Sequence, residues 1–375
     1  MVFAYDRELS GKEYLLKTVT YKHLTDIGVN EKYIYPVNVV AKQNIYKQYF
    51  TIYKDGFKTL PERVINDVRA NRAKIVIIFP NEGIWTQKEL SILEGWCKDV
   101  NFTKEQVYLI HGNHKLVSDN SFTYIPINNF LSWISVPNDV SYKPVDSKDL
   151  YLSYNRRWTY SRAALLCELI ESNILNRGLI SYLNFNYKDK PDMFSHSDYS
   201  SRFGLSNLHN SLTILDSIKP IVLDITDVNY NPANSLVLEH YEHTLLTITT
   251  ETLTTSDTLF FSEKTWKPIA VGHPFMLVSS VGALKELKKL GYKTFDKWWS
   301  EEYDNENDVN VRINMIVSEL VKLSRFTREQ LIVMRNDMKE VLQHNKELFK
   351  VQQGKSNLFD TINKIWCSGF LENKI

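Results

Sequence analysis

In Ser262-Glu263-Lys264, a hydroxyl suited to a helix N-cap is followed at once by a carboxylate and an ammonium, and Pro268 interrupts the helical pattern one turn later. A carboxylate at a helix start can accept hydrogen bonds from ribose hydroxyls, and a lysine beside it offsets phosphate charge. The same triplet also suits a capping box or a surface ion pair, and both readings stand at this point. Pro268 has no N–H, so the Lys264 carbonyl four residues back loses its helical donor to a ligand, water or a distorted turn. Upstream, Glu251 follows the strand-like run 245–249. Asn155 opens a loop with Arg156 and Arg157, and Arg162 follows near a helix start, where unpaired N–H groups favour an anion such as a pyrophosphate. A solvated basic loop is the plain alternative.

Two residues suit proton transfer. Glu82 stands just after the apolar run 74–79 (KIVIIF), and His114 closes the segment HGNHK. Both fall where α/β sheets place reactive loops, at the carboxyl ends of strands. A metal-dependent transfer to or from a diphosphate would want an Asp-x-Asp at a strand end. The nearest pairs, Asp224 with Asp227 and Asp189 with Asp192, have the wrong spacing, so no essential metal is expected. His240 and His243 in LEHYEH share a helix face but lack a third ligand at sensible spacing.

The elements that must position these groups alternate between strand and helix periods, which favours α/β layers. The run 74–79 reads as a strand buried on both faces, followed by a helix capped at Thr86 and a strand over 107–110. Pro137, Asn138, Pro144 and Asp146 break all periodicity over 136–148 and suggest a linker. Beyond it the pattern predicts strands at 150–153, 179–184, 220–225, 244–250 and 274–278. Helices are expected at 159–172, 207–217, 262–271 and 282–290, then two long amphipathic helices in the last 65 residues. The expected division is an N-terminal domain over 1–145, a second over 146–350, and a C-terminal helix over 351–375 that packs back on the first.

Composition bounds the rest. A net charge of +1 gives no basic excess of the kind that polyanion binding usually shows. Cys97, Cys167 and Cys367 match no zinc or redox spacing, as expected of a reducing compartment. Charges lie within the first eight residues and no long apolar window occurs, so neither a secretory signal nor stable membrane insertion is expected. A cytoplasmic location follows, the host's if the chain is phage-encoded.

Residues 249–278 resemble the donor-binding region of fucosyltransferase-like glycosyltransferases: an acidic residue after a strand, a Ser/Thr-Glu-Lys helix start, then Gly and Pro before an apolar strand. The chain is similar, more closely, to phage and bacterial glycosyltransferase-like proteins with SEKTWKPI-type helices. That group adds LKELKKLGYKTFDKWW, Tyr303-Asp304 and the Asn155-Arg156-Arg157 loop. The resemblance covers about 150–310 and implies a GT-B-like fold, two Rossmann-like parallel-sheet domains facing a cleft with a helical tail. It implies a UDP- or GDP-sugar as donor substrate and no required cofactor. Glu251 and Glu263 would contact sugar or ribose, and Lys264 with Arg157 or Arg162 the phosphates. Ser262 starts the donor-site helix, and Asn155 and Arg156 complete the set. The acceptor implied is a hydroxylated or hydroxymethylated base of phage DNA, or a saccharide. Two rivals remain: a metallophosphoesterase-like hydrolase, because HGNHK echoes a Gly-Asn-His metal motif, and a noncatalytic nucleic-acid-binding protein that stacks bases on aromatic side chains.

Overall fold

The computed structural model describes residues 1–5, 20–38, 60–79, 83, 85–135, 149–155, 159–182, 223, 236–254, 257–355 and 358–370. These form two compact units. The first joins residues 1–132, 257–260 and 353–375; the second joins 133–256 and 261–352. The expected linker 136–148 and helix 207–217 lie outside the described residues, as do Glu82, Arg156 and Arg157. Of the expected strand 220–225 only Leu223 is described, as a bend.

Among the described residues the first unit contains six strands: β1 (Val2–Tyr5), β2 (Thr20–His23), β3 (Tyr33–Asn38), β4 (Ala73–Phe79), β5 (Val107–His111) and β6 (Thr123–Pro126). Their order is β2-β1-β3-β4-β5-β6, and every pairing is parallel. β4 shows why KIVIIF is an unbroken apolar run. Ile75, Ile77 and Phe79 pack on one face with Val64 and Val68 of α1 (Glu62–Arg69) and Leu90 and Leu93 of α2 (Gln87–Asp99). Val76 and Ile78 pack on the other with Phe3, Ile34 and Ile110. That second face is covered by Ile362, Ile365 and Phe370 of the C-terminal helix Leu358–Phe370. Lys74, buried on the same strand, is accommodated because its ammonium donates to the Glu105 carbonyl (3.0 Å) and the Tyr108 hydroxyl (2.9 Å) and lies over the Phe370 ring.

The second unit contains β7 (Asp149–Asn155), β8 (Gly178–Tyr182), β9 (Thr244–Thr250) and β10 (Phe275–Val278), all parallel, in the order β10-β9-β7-β8. β8 starts at Gly178 because the Tyr151 ring lies where a Cβ would go, 2.3 Å from its nearest carbon. α3 (Tyr160–Glu171) follows β7, and α4 (Leu238–Glu242) precedes β9. α5 (Glu263–Val271) connects β9 to β10, and α6 (Ala283–Lys289) follows. Then come α7 (Val309–Leu323), α8 (Arg328–Asp337), α9 (Lys339–Lys355) and, in the first unit, α10, the helix over Leu358–Phe370.

The tail therefore holds four helices where the apolar spacing suggested two. Apolar spacing carries through the turns, and local caps set the breaks. The Thr327 hydroxyl accepts from the Gln330 N–H (3.3 Å) while the Gln330 side chain accepts from the Thr327 N–H (2.8 Å), which starts α8 afresh. The chain is thus an α/β protein of two Rossmann-like parallel-sheet units with C-terminal helices, the components of a GT-B-like fold. Among the described residues no helix is long and apolar enough to cross a membrane.

Candidate functional site

In sheet order, β8 lies on one side of β7 and β9 on the other, so the winding direction reverses between β7 and β9. In open parallel sheets such a switch point opens a crevice at the carboxyl ends of the strands, where ligands bind. Asn155 ends β7, Thr250 ends β9, and Glu251 follows immediately. α3 and α5 begin on this edge, so the positive ends of two helix dipoles face it.

Glu251 is buried at 1% exposure, and its carboxylate is occupied. Oε1 accepts from the Ser262 N–H (2.9 Å) and the Thr265 hydroxyl (2.6 Å), and Oε2 from the Ser262 hydroxyl (2.6 Å). The sequence suggested a sugar or ribose contact here. The geometry makes Glu251 a clamp that fixes the first turn of α5, with its negative charge at the positive end of the helix dipole.

Ser262 caps α5, its hydroxyl accepting from the Lys264 N–H (3.3 Å). The Lys264 ammonium donates to the Ser262 hydroxyl (3.1 Å) and to Glu263 Oε1 (2.7 Å). An ammonium has three protons, and these bonds use two of them. Burial by itself raises the pKa of Glu263, but Lys264, by charge and hydrogen bond, and Lys267 outweigh it and bring the carboxyl down to about 2. Glu263 therefore stays ionised beside Lys264.

The proline resolves simply. The Lys264 carbonyl, left without its donor by Pro268, accepts from the Thr249 hydroxyl on the neighbouring strand (3.2 Å). β9 thus supplies what the helix cannot. At the other end Gly272 adopts φ 70°, and the His273 N–H donates to the Pro268 carbonyl (2.8 Å), which closes the helix. His273 is buried and bonded through Nδ1 to the Thr247 hydroxyl (2.9 Å); burial, with Arg335 nearby, pushes its pKa well down. It is a neutral core histidine.

Much of the SEKTWKPI and GYKTFDKWW likeness is packing. Trp266 is fully buried against Phe261 and Tyr292 (5.5 Å each), and Phe295 lies against Phe275 and Trp299 (5.2 Å each). Asp304 accepts from the N–H groups of Leu284 (2.9 Å) and Lys285 (3.0 Å), so the Tyr303-Asp304 turn caps α6.

On the α3 side, buried Arg162 donates to the Thr250 carbonyl (3.3 Å), tying the first turn of α3 to the end of β9. Asn155 is 1% exposed and uses its amide protons on the Ser153 hydroxyl (2.8 Å) and the Ser153 carbonyl (3.5 Å). Among the described residues its Oδ1, and the Thr250 hydroxyl, have no hydrogen-bond partner. Thr249, Thr250 and Thr265 escaped the sequence reading. The signal was there: threonine at 244, 247, 249 and 250 in an otherwise apolar strand, all buried, requires partners for four hydroxyls.

In the first unit, the His114 ring donates from Nε2 to Asn128 Oδ1 (2.8 Å). The rest of HGNHK is committed to structure. Asn113 donates to the carbonyls of Trp85 (2.6 Å) and Asp257 (3.3 Å) and accepts from the N–H groups of Lys115 (3.0 Å) and Leu259 (2.8 Å). His111 Nδ1 accepts from the Asn113 N–H (3.0 Å), and burial lowers its pKa to about 3. Asn113, one of the two metal ligands that the hydrolase reading needed, is therefore occupied. His240 of LEHYEH is likewise engaged, by the Tyr154 hydroxyl at 2.7 Å. Among the described residues no three His, Cys, Asp or Glu side chains converge as metal ligands would.

No family model matches the sequence, and neither does any curated protein. Among solved structures, a mutant of the Thermobaculum terrenum O-GlcNAc transferase is similar over 91% of this chain and 68% of that one, with 11% identity and a TM-score of 0.37. So loose a likeness carries no inference about chemistry.

Proposed function

We propose that this chain is a glycosyltransferase that moves a sugar from a nucleotide diphosphate donor, a UDP- or GDP-sugar, to a hydroxyl acceptor. The observation that supports it best is the β7–β9 switch point. There two helix N-termini, Arg162, the Lys264 ammonium and buried polar atoms at the ends of β7 and β9 share one edge of a parallel sheet. That edge suits an anionic ligand carrying hydroxyl groups.

In this scheme the acceptor oxygen attacks the anomeric carbon as the bond to the diphosphate breaks, and a base takes the acceptor proton. The charge that builds on the departing diphosphate meets the cationic side chains and first-turn N–H groups, which do the work a divalent ion does elsewhere. His114 is the base we propose, its ring oriented by the bond to Asn128. In this scheme Glu251 positions α5.

The acceptor belongs to one of two classes, a hydroxylated DNA base or a saccharide, and product analysis with each separates them. The primary test is a panel of UDP- and GDP-sugars screened by thermal shift, since a ligand that binds only the folded state raises its stability. At least one donor is expected to stabilise the wild type, with the shift largely lost in Lys264→Ala. A folded protein that no nucleotide sugar stabilises would sink the assignment.

A further inference from the structure

The carboxylate expected to receive ligand hydroxyls, Glu251, already accepts three hydrogen bonds. The open acceptor lies one step back along the sheet. β7 and β9 pair in register, Tyr151 with Leu246 and Leu152 with Thr247. Continued to the strand ends, that register sets Asn155 beside Thr250. Paired residues of parallel strands point to the same face, and this is the face away from α5, because Thr249, one residue earlier, points at α5. It is also the face where Tyr151, two pleats back from Asn155, reaches the Ile174 carbonyl just after α3 (3.0 Å).

Both side chains are almost fully buried, and each holds a polar atom with no hydrogen-bond partner among the described residues: Asn155 Oδ1 and Thr250 Oγ1. A buried polar group without a partner destabilises the protein that carries it. Two such atoms lie on adjacent strands, about 4.8 Å apart, at a topological switch point, where open parallel sheets bind ligands. The orientation of Asn155 decides the chemistry. The Ser153 hydroxyl donates to the Ile248 carbonyl (3.4 Å), so its lone pairs face the Asn155 amide nitrogen, and the second amide proton faces the Ser153 carbonyl. What Asn155 presents is an oxygen that only accepts. A phosphate or carboxylate, itself an acceptor, is repelled there; a hydroxyl donor is bound. Thr250, a hydroxyl, both donates and accepts.

We infer that Asn155 and Thr250 form a neutral subsite for a vicinal diol, one hydroxyl donating to Asn155 Oδ1 and its neighbour exchanging a hydrogen bond with Thr250. This rests on the reading of the second sheet as the nucleotide-sugar side. The diol belongs either to the ribose or to the transferred sugar.

The test pairs stability with affinity in one lead variant, Thr250→Val, and a rescue variant, Thr250→Ser. Ligand-free thermal stability is measured first. Binding of UDP, GDP, their 2′,3′-dideoxy analogues and the nucleotide sugars is then measured by calorimetry. Thr250→Val is expected to match or exceed the wild type in ligand-free stability, because it removes an unpaired buried hydroxyl. It should also bind the diol-bearing ligand about 5- to 100-fold more weakly. Thr250→Ser restores the affinity. A loss already present with UDP or GDP and absent with the dideoxy forms assigns the ribose; a loss confined to nucleotide sugars assigns the sugar ring. A wild type that binds nucleotides, with a valine variant that binds every ligand equally well or loses dideoxy forms to the same degree, overturns this inference alone. A wild type that binds no nucleotide and no nucleotide sugar overturns the proposed function with it.

Discussion

The contact that lets Pro268 stand inside α5 can be measured as a coupling energy. Thr249→Val keeps the shape of the side chain and deletes the hydroxyl that donates to the Lys264 carbonyl at 3.2 Å. With proline four residues on, nothing in the helix replaces that donor, so a part-buried acceptor goes unmet at a cost of about 1–3 kcal/mol. Pro268→Ala returns an N–H to the helix. In that background Thr249→Val should cost no more than about 0.5 kcal/mol, because the carbonyl now has its helical partner. The cavity left by the smaller alanine appears on both sides of the double-mutant cycle and cancels. The cycle should therefore show a coupling of at least about 1 kcal/mol. Native-state hydrogen exchange of the α5 amides is the assay, since it reads local opening of this helix without requiring the two units to unfold together. A coupling within the ordinary additivity error, about 0.5 kcal/mol or less, would refute the account of how β9 supports the proline.

Other outcomes follow from the same geometry. Glu251→Ala removes the acceptor for three donors in the first turn of α5 and should destabilise the protein by about 2–5 kcal/mol, with exchange protection lost first in residues 262–266. Unchanged protection there would show that the clamp holds nothing. His111 and His273 are both held neutral, chiefly by burial, below their ordinary value of 6.5. Since the unfolded chain binds protons at that value and the folded one does not, their contribution is complete above pH 6.5 and is lost as pH falls below it. The slope is up to about 1.4 kcal/mol per pH unit for each histidine. Urea midpoints should fall between pH 7.5 and 5, and the fall should lessen in His273→Gln; a flat profile would contradict two buried neutral imidazoles.

Local signals carried a good part of the fold. KIVIIF could be read as a doubly buried strand because every residue of a sandwiched parallel strand needs an apolar face, whichever way it points. The starts of α2 and α5 were legible in Thr86 and Ser262, since a cap and its first turn lie within four residues of sequence. The short strands β1, β2, β3 and β6 were not legible, because four to six residues of mixed polarity hold no period long enough to separate from noise.

The candidate site divides the same way. The sequence by itself determined which groups are available: a carboxylate after a strand, a capped Glu-Lys helix start, a proline without a donor, arginines after β7. Only the tertiary structure decided what each is free to do, because hydrogen-bond capacity is finite and its allocation depends on neighbours distant in sequence. Glu251 is occupied by residues 11 and 14 positions away, and the Lys264 carbonyl by one 15 away. Leu152 pairs with Thr247, a register that carries on toward Asn155 and Thr250, because two strands separated by nearly a hundred residues lie parallel.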